Sequence, residues 1–117
     1  MISFMDRLFY SFRMSGKSLA GKPAAAVVSC RRGGNTATFD QMNKYFCTCN
    51  MPIVTSQYWN MVHGNNSEEV KQDFEGLQTM RTLGQNMAWL LKCIEAGKLT
   101  GINLPEYEAP VRTNFIR

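Results

Sequence analysis

Apolar positions near the N-terminus recur at helical spacing. They are Ile2, Met5, Leu8, Phe9 and Phe12. Asp6, Arg7 and Arg13 occupy the opposite side of the same helical wheel. This pattern predicts a short amphipathic helix at the start of the chain.

An uninterrupted run of small and β-branched apolar residues follows, from Ala24 to Cys30. Continuous rather than alternating apolarity predicts a strand covered on both faces, as in a parallel sheet. The next residues, Arg31 to Asn35, include two adjacent glycines and are predicted to form a loop.

A second helix is predicted after this loop. Thr38 is expected to cap it, with Gln41 returning the hydrogen bond from the third position. Asn50 is expected to end it. The apolar face of this helix is formed by Phe39, Met42, Tyr45, Phe46 and Cys49.

The segment Met51–Thr55 is predicted to be a second short strand. Pro52 stands near its beginning, where a missing backbone N–H is tolerated. The polar and aromatic segment Ser56–Asn66 is then expected to form a long loop.

A single long helix is predicted from Ser67, its N-cap, to Gly97. Glu68 and Glu69 in its first turn favour this start, because negative charge interacts well with the helix dipole. The tail Leu99–Arg117 has no periodicity, so the α/β elements are expected within residues 1–98. The buried stripe of the long helix is formed by Val70, Phe74, Leu77, Met80, Leu83, Met87, Leu90, Leu91 and Ile94.

The predicted order is helix, strand, helix, strand and long helix. Strand–helix–strand is the unit from which parallel α/β sheets are built. Two short parallel strands leave both edges of a sheet open and cannot cover three helices. We therefore expect further strands, supplied either by more chain or by another subunit.

Composition supports one folded domain. The 117 residues are 44 % hydrophobic and 19 % charged, which excludes a disordered chain and a multidomain enzyme. The net charge of +4 is scattered along the sequence. Arg31 and Arg32 leave a nucleic-acid binder as an alternative, but no basic stripe accompanies them, so no nucleic-acid partner is expected.

Four cysteines, at positions 30, 47, 49 and 93, are expected to be free thiols of a cytoplasmic protein. No signal peptide is recognisable and no apolar stretch approaches a membrane span, so no membrane partner is expected. Cys47 and Cys49 with the single histidine, His63, form an incomplete ligand set, so no metal site is expected.

Two segments are predicted at the carboxyl ends of the strands, where open α/β sheets bind ligands. In Ser29–Thr36, glycines let the backbone approach a planar or anionic ligand, and arginines pair with phosphate. In Ser56–Gly64, Tyr58, Trp59 and His63 are candidates for a ligand lid. The structural alternatives are an ordinary turn in the first segment and a satellite core or a subunit interface in the second, with His63 as a hydrogen-bonded loop residue.

Together, these segments resemble the flavodoxin-like NAD(P)H-dependent FMN reductases. Phe4-Met5-Asp6-Arg7-Leu8 is similar to the helix after the third strand of that family, and Gly21–Val28 to its fourth strand. Arg32–Thr36 is similar to the glycine-rich loop that follows, Asn50–Val54 to the fifth strand, and Ser67–Gly97 to the last helix.

The resemblance implies the C-terminal part of a three-layer, flavodoxin-like domain over residues 1–117. It implies an oxidoreductase in which FMN carries a hydride from NADH or NADPH to an acceptor, with no catalytic acid or base required. It also implies a homo-oligomer, a dimer or tetramer, or a complementary N-terminal half. The alternative is a non-catalytic half-domain that acts as an assembly module without flavin.

The resemblance also implies roles for residues of both loops. The first loop would contact the isoalloxazine edge and ribityl side through Ser29, Cys30, Arg31, Arg32, Gly33, Gly34 and Asn35. Backbone N–H groups of the glycine turn would stabilise the reduced, anionic flavin. Tyr58, Trp59 and His63 would lie near the flavin face.

Overall fold

Residues 1–115 are described by the computed structural model, which has mixed α/β architecture. The final two residues of the predicted tail, Ile116 and Arg117, lie outside the described residues. The elements are α1 (Ile2–Met14), β1 (Val28–Cys30), α2 (Asn35–Thr48), β2 (Met61–His63), α3 (Ser67–Val70) and α4 (Phe74–Leu99).

The two strands form a small parallel sheet, as the sequence predicts. Val28 pairs with Met61 and Cys30 with His63. An isolated parallel bridge joins Ala24 to Ile53. The predicted first strand, Ala24–Cys30, is thus regular only at its end.

The second strand lies later in the chain than predicted. The predicted strand Met51–Thr55 contributes only the bridge at Ile53, whereas β2 lies inside the predicted loop Ser56–Asn66. The reason is that the second segment contains more residues than the first between the two points of pairing. Ala24 and Val28 are four positions apart, whereas their partners Ile53 and Met61 are eight apart. The additional residues of the second segment therefore form a loop outside the sheet. We call Ser56–Trp59 the aromatic loop.

One face of β1 is open. Ala26 and Val28 are buried, but Val27 between them is 48 % exposed. The prediction that this strand is covered on both faces is therefore wrong for the described chain. Alternate side chains of a strand point to opposite faces, and only one face of β1 is packed.

The start of α2 differs from the prediction. Its N-cap is Gly34, which has a left-handed backbone (φ 86°) and offers no side-chain cap. Thr38 lies inside the helix, where its hydroxyl donates to the Gly34 carbonyl at 2.9 Å. The predicted capping pair of Thr38 and Gln41 is therefore wrong. The predicted end is confirmed, since α2 ends at Thr48 and Asn50 adopts a positive φ of 54°.

The predicted long helix is two helices. Asn66 caps α3 by accepting from the Glu69 N–H, and Asp73 caps α4 by accepting from the Gly76 N–H. The prediction of one helix capped by Ser67 is wrong, because a second capping side chain restarts the helix. Phe74, predicted in the buried stripe, is 76 % exposed at the first position of α4.

The core is small. Phe9 of α1 packs against the rings of Tyr45 and Phe46 of α2, with centroids 5.3 and 6.2 Å apart. Ile2 and Leu8, predicted to be part of the apolar face of α1, are exposed. The buried apolar side chains are Ala26, Val28, Phe46, Val54, Met61, Val62 and Leu83.

No helix within residues 1–115 has both the length and the apolar character of a bilayer span. All four cysteines are free thiols. Within the same range, no three His, Cys, Asp or Glu side chains are grouped in a way that suits a metal ion.

Candidate functional site

A cavity of about 340 Å³ opens at the carboxyl ends of β1 and β2. The start of α2 forms one wall, and β2 with the start of α4 forms the other. The aromatic loop forms the rim. The lining residues are Asn35, Thr36, Tyr58, Trp59, Met61, His63, Asp73, Glu75, Gly76 and Thr79.

The parallel sheet places the ends of both strands beside this cavity. β1 ends at Cys30 and a short loop leads into α2, whose first residue, Asn35, lines the cavity. His63 ends β2 beside Cys30, and the Gly64 N–H donates to the Cys30 carbonyl at 3.1 Å. Parallel pairing thus brings the ends of both strands to one place.

The N-terminus of α2 offers unused donors. Its N-cap Gly34 has no side-chain cap, and the first backbone N–H bonded back to it is that of Thr38. A Cβ atom added at Gly33 or at Gly34 would meet no atom within 4 Å. The first turn therefore combines free N–H groups with open space, which suits an approaching polar ligand.

His63 is held between two side chains. Its Nε2 lies 3.0 Å from the Asn35 Nδ2, and its Nδ1 lies 3.5 Å from the Asp73 Oδ2. Its backbone N–H also donates to the Asp73 Oδ2 at 2.7 Å. The imidazole is therefore oriented even though about half of its surface is exposed.

Asp73 is the shared support of the wall. Its Oδ1 accepts from the Gly76 N–H at 2.9 Å, and its Oδ2 accepts from the His63 N–H. These backbone hydrogen bonds, the Gly76 bond first, lower the pKa of the Asp73 carboxyl below its ordinary value. Asp73 thus stays charged while it joins β2 to α4.

The rim is aromatic. Tyr58 and Trp59 are exposed, with ring centroids 4.8 Å apart and ring planes at 46°. The Ser56 hydroxyl lies 2.6 Å from the Tyr58 carbonyl and 2.7 Å from the Asn60 Oδ1. Each ring therefore leaves aromatic surface exposed at the rim, where a planar ligand can pack against it.

The aromatic loop is anchored by Asn60, which is 1 % exposed. Its Nδ2 donates to the Ala26 carbonyl at 3.1 Å, while its backbone carbonyl accepts from the Val28 N–H at 3.0 Å. The side chain therefore supplies a hydrogen bond where the sheet pairing is interrupted. No sequence pattern distinguishes Asn60 from an ordinary loop residue.

Four of the predicted site residues line the cavity: Asn35, Tyr58, Trp59 and His63. The other predicted residues lie at the end of β1 and in the loop before α2, outside the lining. Of these, Ser29, Arg31, Arg32, Gly33 and Gly34 are exposed and Cys30 is half-buried.

Six lining residues were not among the predicted site residues. Asp73 carried a usable signal, because aspartate is a favoured N-cap residue and the acidic Glu75 follows it in the first helical turn. Because one uninterrupted helix was predicted across this position, the capping role of Asp73 was overlooked. Thr36 and Met61 lie within the predicted ligand segments but were not singled out. Glu75, Gly76 and Thr79, all on α4, were missed entirely.

The charge of the lining is negative. Asp73 and Glu75 line the cavity, and no lysine or arginine is among the lining residues of the described chain. Arg31 and Arg32 lie on the neighbouring loop. The interior therefore suits a neutral or cationic ring, whereas anionic groups are better placed near the loop and the α2 N-terminus.

The family model for NADPH-dependent FMN reductases matches residues 1–66, more than half of the chain. The chain belongs to this family. Membership supports an NAD(P)H-dependent FMN reductase type of function and the general use of FMN and NADPH. The match includes both strands, the start of α2 and the aromatic loop. Neither a curated protein nor a solved structure matches the chain.

Proposed function

We propose that this chain forms part of the FMN site of a flavoprotein oxidoreductase that moves electrons from NADH or NADPH to an acceptor. The observation that carries the proposal is the cavity at the carboxyl ends of two parallel strands, beside an uncapped helix N-terminus. Open α/β sheets bind their ligands at this position. Family membership supports FMN as the ligand.

The rim and cavity suit an isoalloxazine ring. Tyr58 and Trp59 present exposed ring faces, and the cavity volume is at the lower end of the range for small-molecule sites, about 300–1,000 Å³. We propose that the flavin ring stacks against this rim with one edge inserted into the cavity.

The glycine loop suits the polar parts of the cofactor. The free N–H groups of Gly33, Gly34 and Asn35 favour negative charge near them, which supports their proposed role beside the flavin edge. Ser29 and Cys30 are proposed to contact the ribityl side. Arg31 and Arg32, both exposed, are proposed to attract the phosphates of the nicotinamide cofactor.

In this arrangement the cofactor and the protein residues have different roles. FMN, when bound, supplies the redox chemistry, and no side chain of this chain needs to act as a nucleophile. Tyr58 and Trp59 orient the ring and exclude water from one face. The loop before α2 binds the polar edge, and His63 contacts the ring from the opposite wall.

Two tryptophans provide a matched test. Trp59 lies at the rim, whereas Trp89 lies on α4 outside the cavity lining and is also exposed. Two single-tryptophan variants, Trp89→Phe and Trp59→Phe, are titrated with FMN while tryptophan emission is recorded. Stacking on the flavin should strongly quench Trp59 in the first variant and leave most of the Trp89 emission in the second.

Equal quenching of the two variants at every FMN concentration would contradict the proposed site. The absence of saturable quenching in either variant would contradict flavin binding itself. Riboflavin, which lacks the phosphate, serves as a second ligand. If the cavity holds the ring, riboflavin quenches the same tryptophan with weaker affinity.

We also propose that the chain corresponds to the C-terminal part of a flavodoxin-like domain and functions in an assembly. The partner is a second copy of the chain or a complementary N-terminal half. The two-stranded sheet, the exposed side chain of Val27 and the exposed apolar residues of α1 support this proposal. An assembly adds cover to the sheet and to the flavin site.

A further inference from the structure

The contacts of His63 define where its ring proton lies. Asn35 Nδ2 is a donor, so the Nε2 atom 3.0 Å away accepts through its lone pair. In the neutral ring the proton is then on Nδ1, which faces the Asp73 Oδ2. A free imidazole in water prefers the opposite tautomer, with its proton on Nε2, so the two neighbours select an uncommon form.

A second polar group in the same cavity has no partner. Thr79 of α4 is 2 % exposed, yet it lines the cavity. Among residues 1–115 its hydroxyl takes part in no hydrogen bond, and its oxygen is not one of the buried polar atoms that lack a partner. The hydroxyl is therefore open to the cavity, where it can donate to a bound ligand.

We propose that Asp73 fixes the Nδ1–H tautomer of His63 so that His63 Nε2 and the Thr79 hydroxyl together recognise the amide edge of a planar ring ligand. Nε2 accepts from the ligand N–H in place of Asn35, and the Thr79 O–H donates to the adjacent ligand C=O. This inference rests on the proposed function in treating the cavity as a ligand site. The tautomer itself is independent of that function.

The charges of the cavity favour a neutral amide. Asp73 and Glu75 face the interior without a cation in the lining, so a carboxylate of the same shape is repelled. Within the proposed reaction, an amide edge occurs in the pyrimidine ring of a flavin and in the carboxamide of nicotinamide. The shared chemistry is an N–H donor beside a C=O acceptor.

The tautomer is directly measurable, because His63 is the only histidine of the chain. Proton–nitrogen correlation spectra of the full chain, recorded at a pH where the ring is neutral, should show a protonated Nδ1 and an unprotonated Nε2. Asp73→Ser keeps a helix-capping oxygen but is too short to reach the ring. It should move the ring proton to Nε2.

Two further variants separate positioning from general damage to the fold. Asn35→Asp replaces the donor beside Nε2 with an acceptor, and a carboxylate is favourable in the first turn of a helix. It should place a proton on Nε2 in a fully folded chain. Asp40→Asn removes an exposed carboxylate from α2 and should change nothing. A wild-type ring with its proton on Nε2, or a tautomer unaffected by Asp73→Ser, would overturn the positioning role.

Ligand recognition is tested with four probes: lumiflavin, its N3-methyl derivative, nicotinamide and nicotinate. Saturable shifts of the His63 nitrogen signals with lumiflavin but not with its N3-methyl derivative identify the flavin edge. Shifts with nicotinamide but not with nicotinate identify the carboxamide. Thr79→Val should weaken the recognised probe at least tenfold without moving the tautomer.

The outcomes also separate this inference from the proposed function. Equal binding of lumiflavin and its N3-methyl derivative, together with no response to nicotinamide, keeps the flavin site and overturns amide recognition. If none of the four probes gives saturable shifts, both amide recognition and the proposed flavin site are overturned. The tautomer of His63 is still decided by the spectra of the chain without a probe.

Discussion

At the residue scale, the candidate site depends most on Asp73. One carboxylate caps α4, accepts the last backbone N–H of β2 and faces the His63 ring. Two elements of the wall, β2 and α4, thereby meet at one side chain. A substitution at Asp73 consequently affects both stability and the geometry of the cavity, and the two effects need variants that separate them.

Asp73→Ala should lower the free energy of unfolding by about 0.5–2 kcal/mol, the usual effect of losing an N-cap. Asp73→Ser should lose less, because a hydroxyl still caps the helix. Urea unfolding at neutral pH compares the two with wild type. Equal stability of wild type and Asp73→Ala would contradict the capping role.

The contribution of Asp73 should depend on pH. The pKa of this carboxyl is lowered in the folded chain by the Gly76 and His63 N–H groups. A group with a lowered folded pKa stabilises the fold above its unfolded pKa, and this stabilisation is lost as the pH falls through the folded value. The stability gap between wild type and Asp73→Ala should therefore be present at neutral pH and narrow as the pH falls below the ordinary aspartate pKa, about 3.9.

At the element scale, the start of α2 is set by glycine rather than by a side-chain cap. Gly34 has φ of 86°, which a β-branched residue adopts only with strain, whereas Gly33 carries no such constraint. Both positions have open space around an added Cβ atom. Gly34→Val therefore adds backbone strain, whereas Gly33→Val only fills space that a ligand would occupy.

Gly34→Val should destabilise the chain by about 1–3 kcal/mol through this strain. Gly33→Val should leave stability nearly unchanged and still weaken FMN, because its side chain occupies the open space before the helix. Thermal unfolding and FMN titration are measured on both variants. Unchanged FMN affinity in Gly33→Val would contradict the proposal that the glycine loop contacts the flavin edge.

At the scale of the whole molecule, the described fold exposes more surface than a folded monomer of its mass. Its accessible area is 9204 Å², compared with about 6,500 Å² expected at 13.3 kDa. Its radius of gyration is 17.4 Å, compared with about 13 Å for a compact chain of this length. The excess area is of the size that obligate partners bury.

Sedimentation equilibrium should therefore show a dimer or larger species. Exposed apolar side chains of α1 provide a surface for such an assembly, and Phe4→Glu with Leu8→Glu should shift the distribution toward smaller species. Glutamines at exposed Arg7 and Arg13, which lower the net charge by the same amount, are the charge-matched control. An equilibrium gradient described by the monomer mass alone, together with cooperative unfolding of the wild type, would be incompatible with this account.

Local patterns predicted the parts of the fold that depend on nearby residues. The spacing from Ile2 to Phe12 predicted α1, and the apolar run to Cys30 predicted β1. Pairing across the chain was not predictable in this way. The residues of β2 lie after two exposed aromatics, and their place in the sheet depends on Asn60 bonding to Ala26, a contact between residues far apart in sequence.

The candidate site shows the same division. Asn35 was found because it follows β1 at the carboxyl edge of the sheet. Tyr58, Trp59 and His63 were predicted in a loop after the second strand, whereas the structure places the two aromatics before β2 and His63 at its end. Asp73 and Thr79 were missed, because a continuous helical pattern gave no sign that a helix begins at Phe74 and turns its first residues toward β2. A capping residue inside a long apolar pattern, here Asp73, is the signal that would have shown where α4 and its cavity-lining residues begin.

The most direct test of the central claim is gel filtration of the full chain with excess FMN, with protein and flavin absorbance recorded together. The account predicts flavin absorbance in the protein peak, in a stoichiometry that falls in Gly33→Val while the peak position stays unchanged. Protein that elutes colourless at every concentration, with all FMN in the small-molecule volume, would contradict the proposal that this cavity is a flavin site.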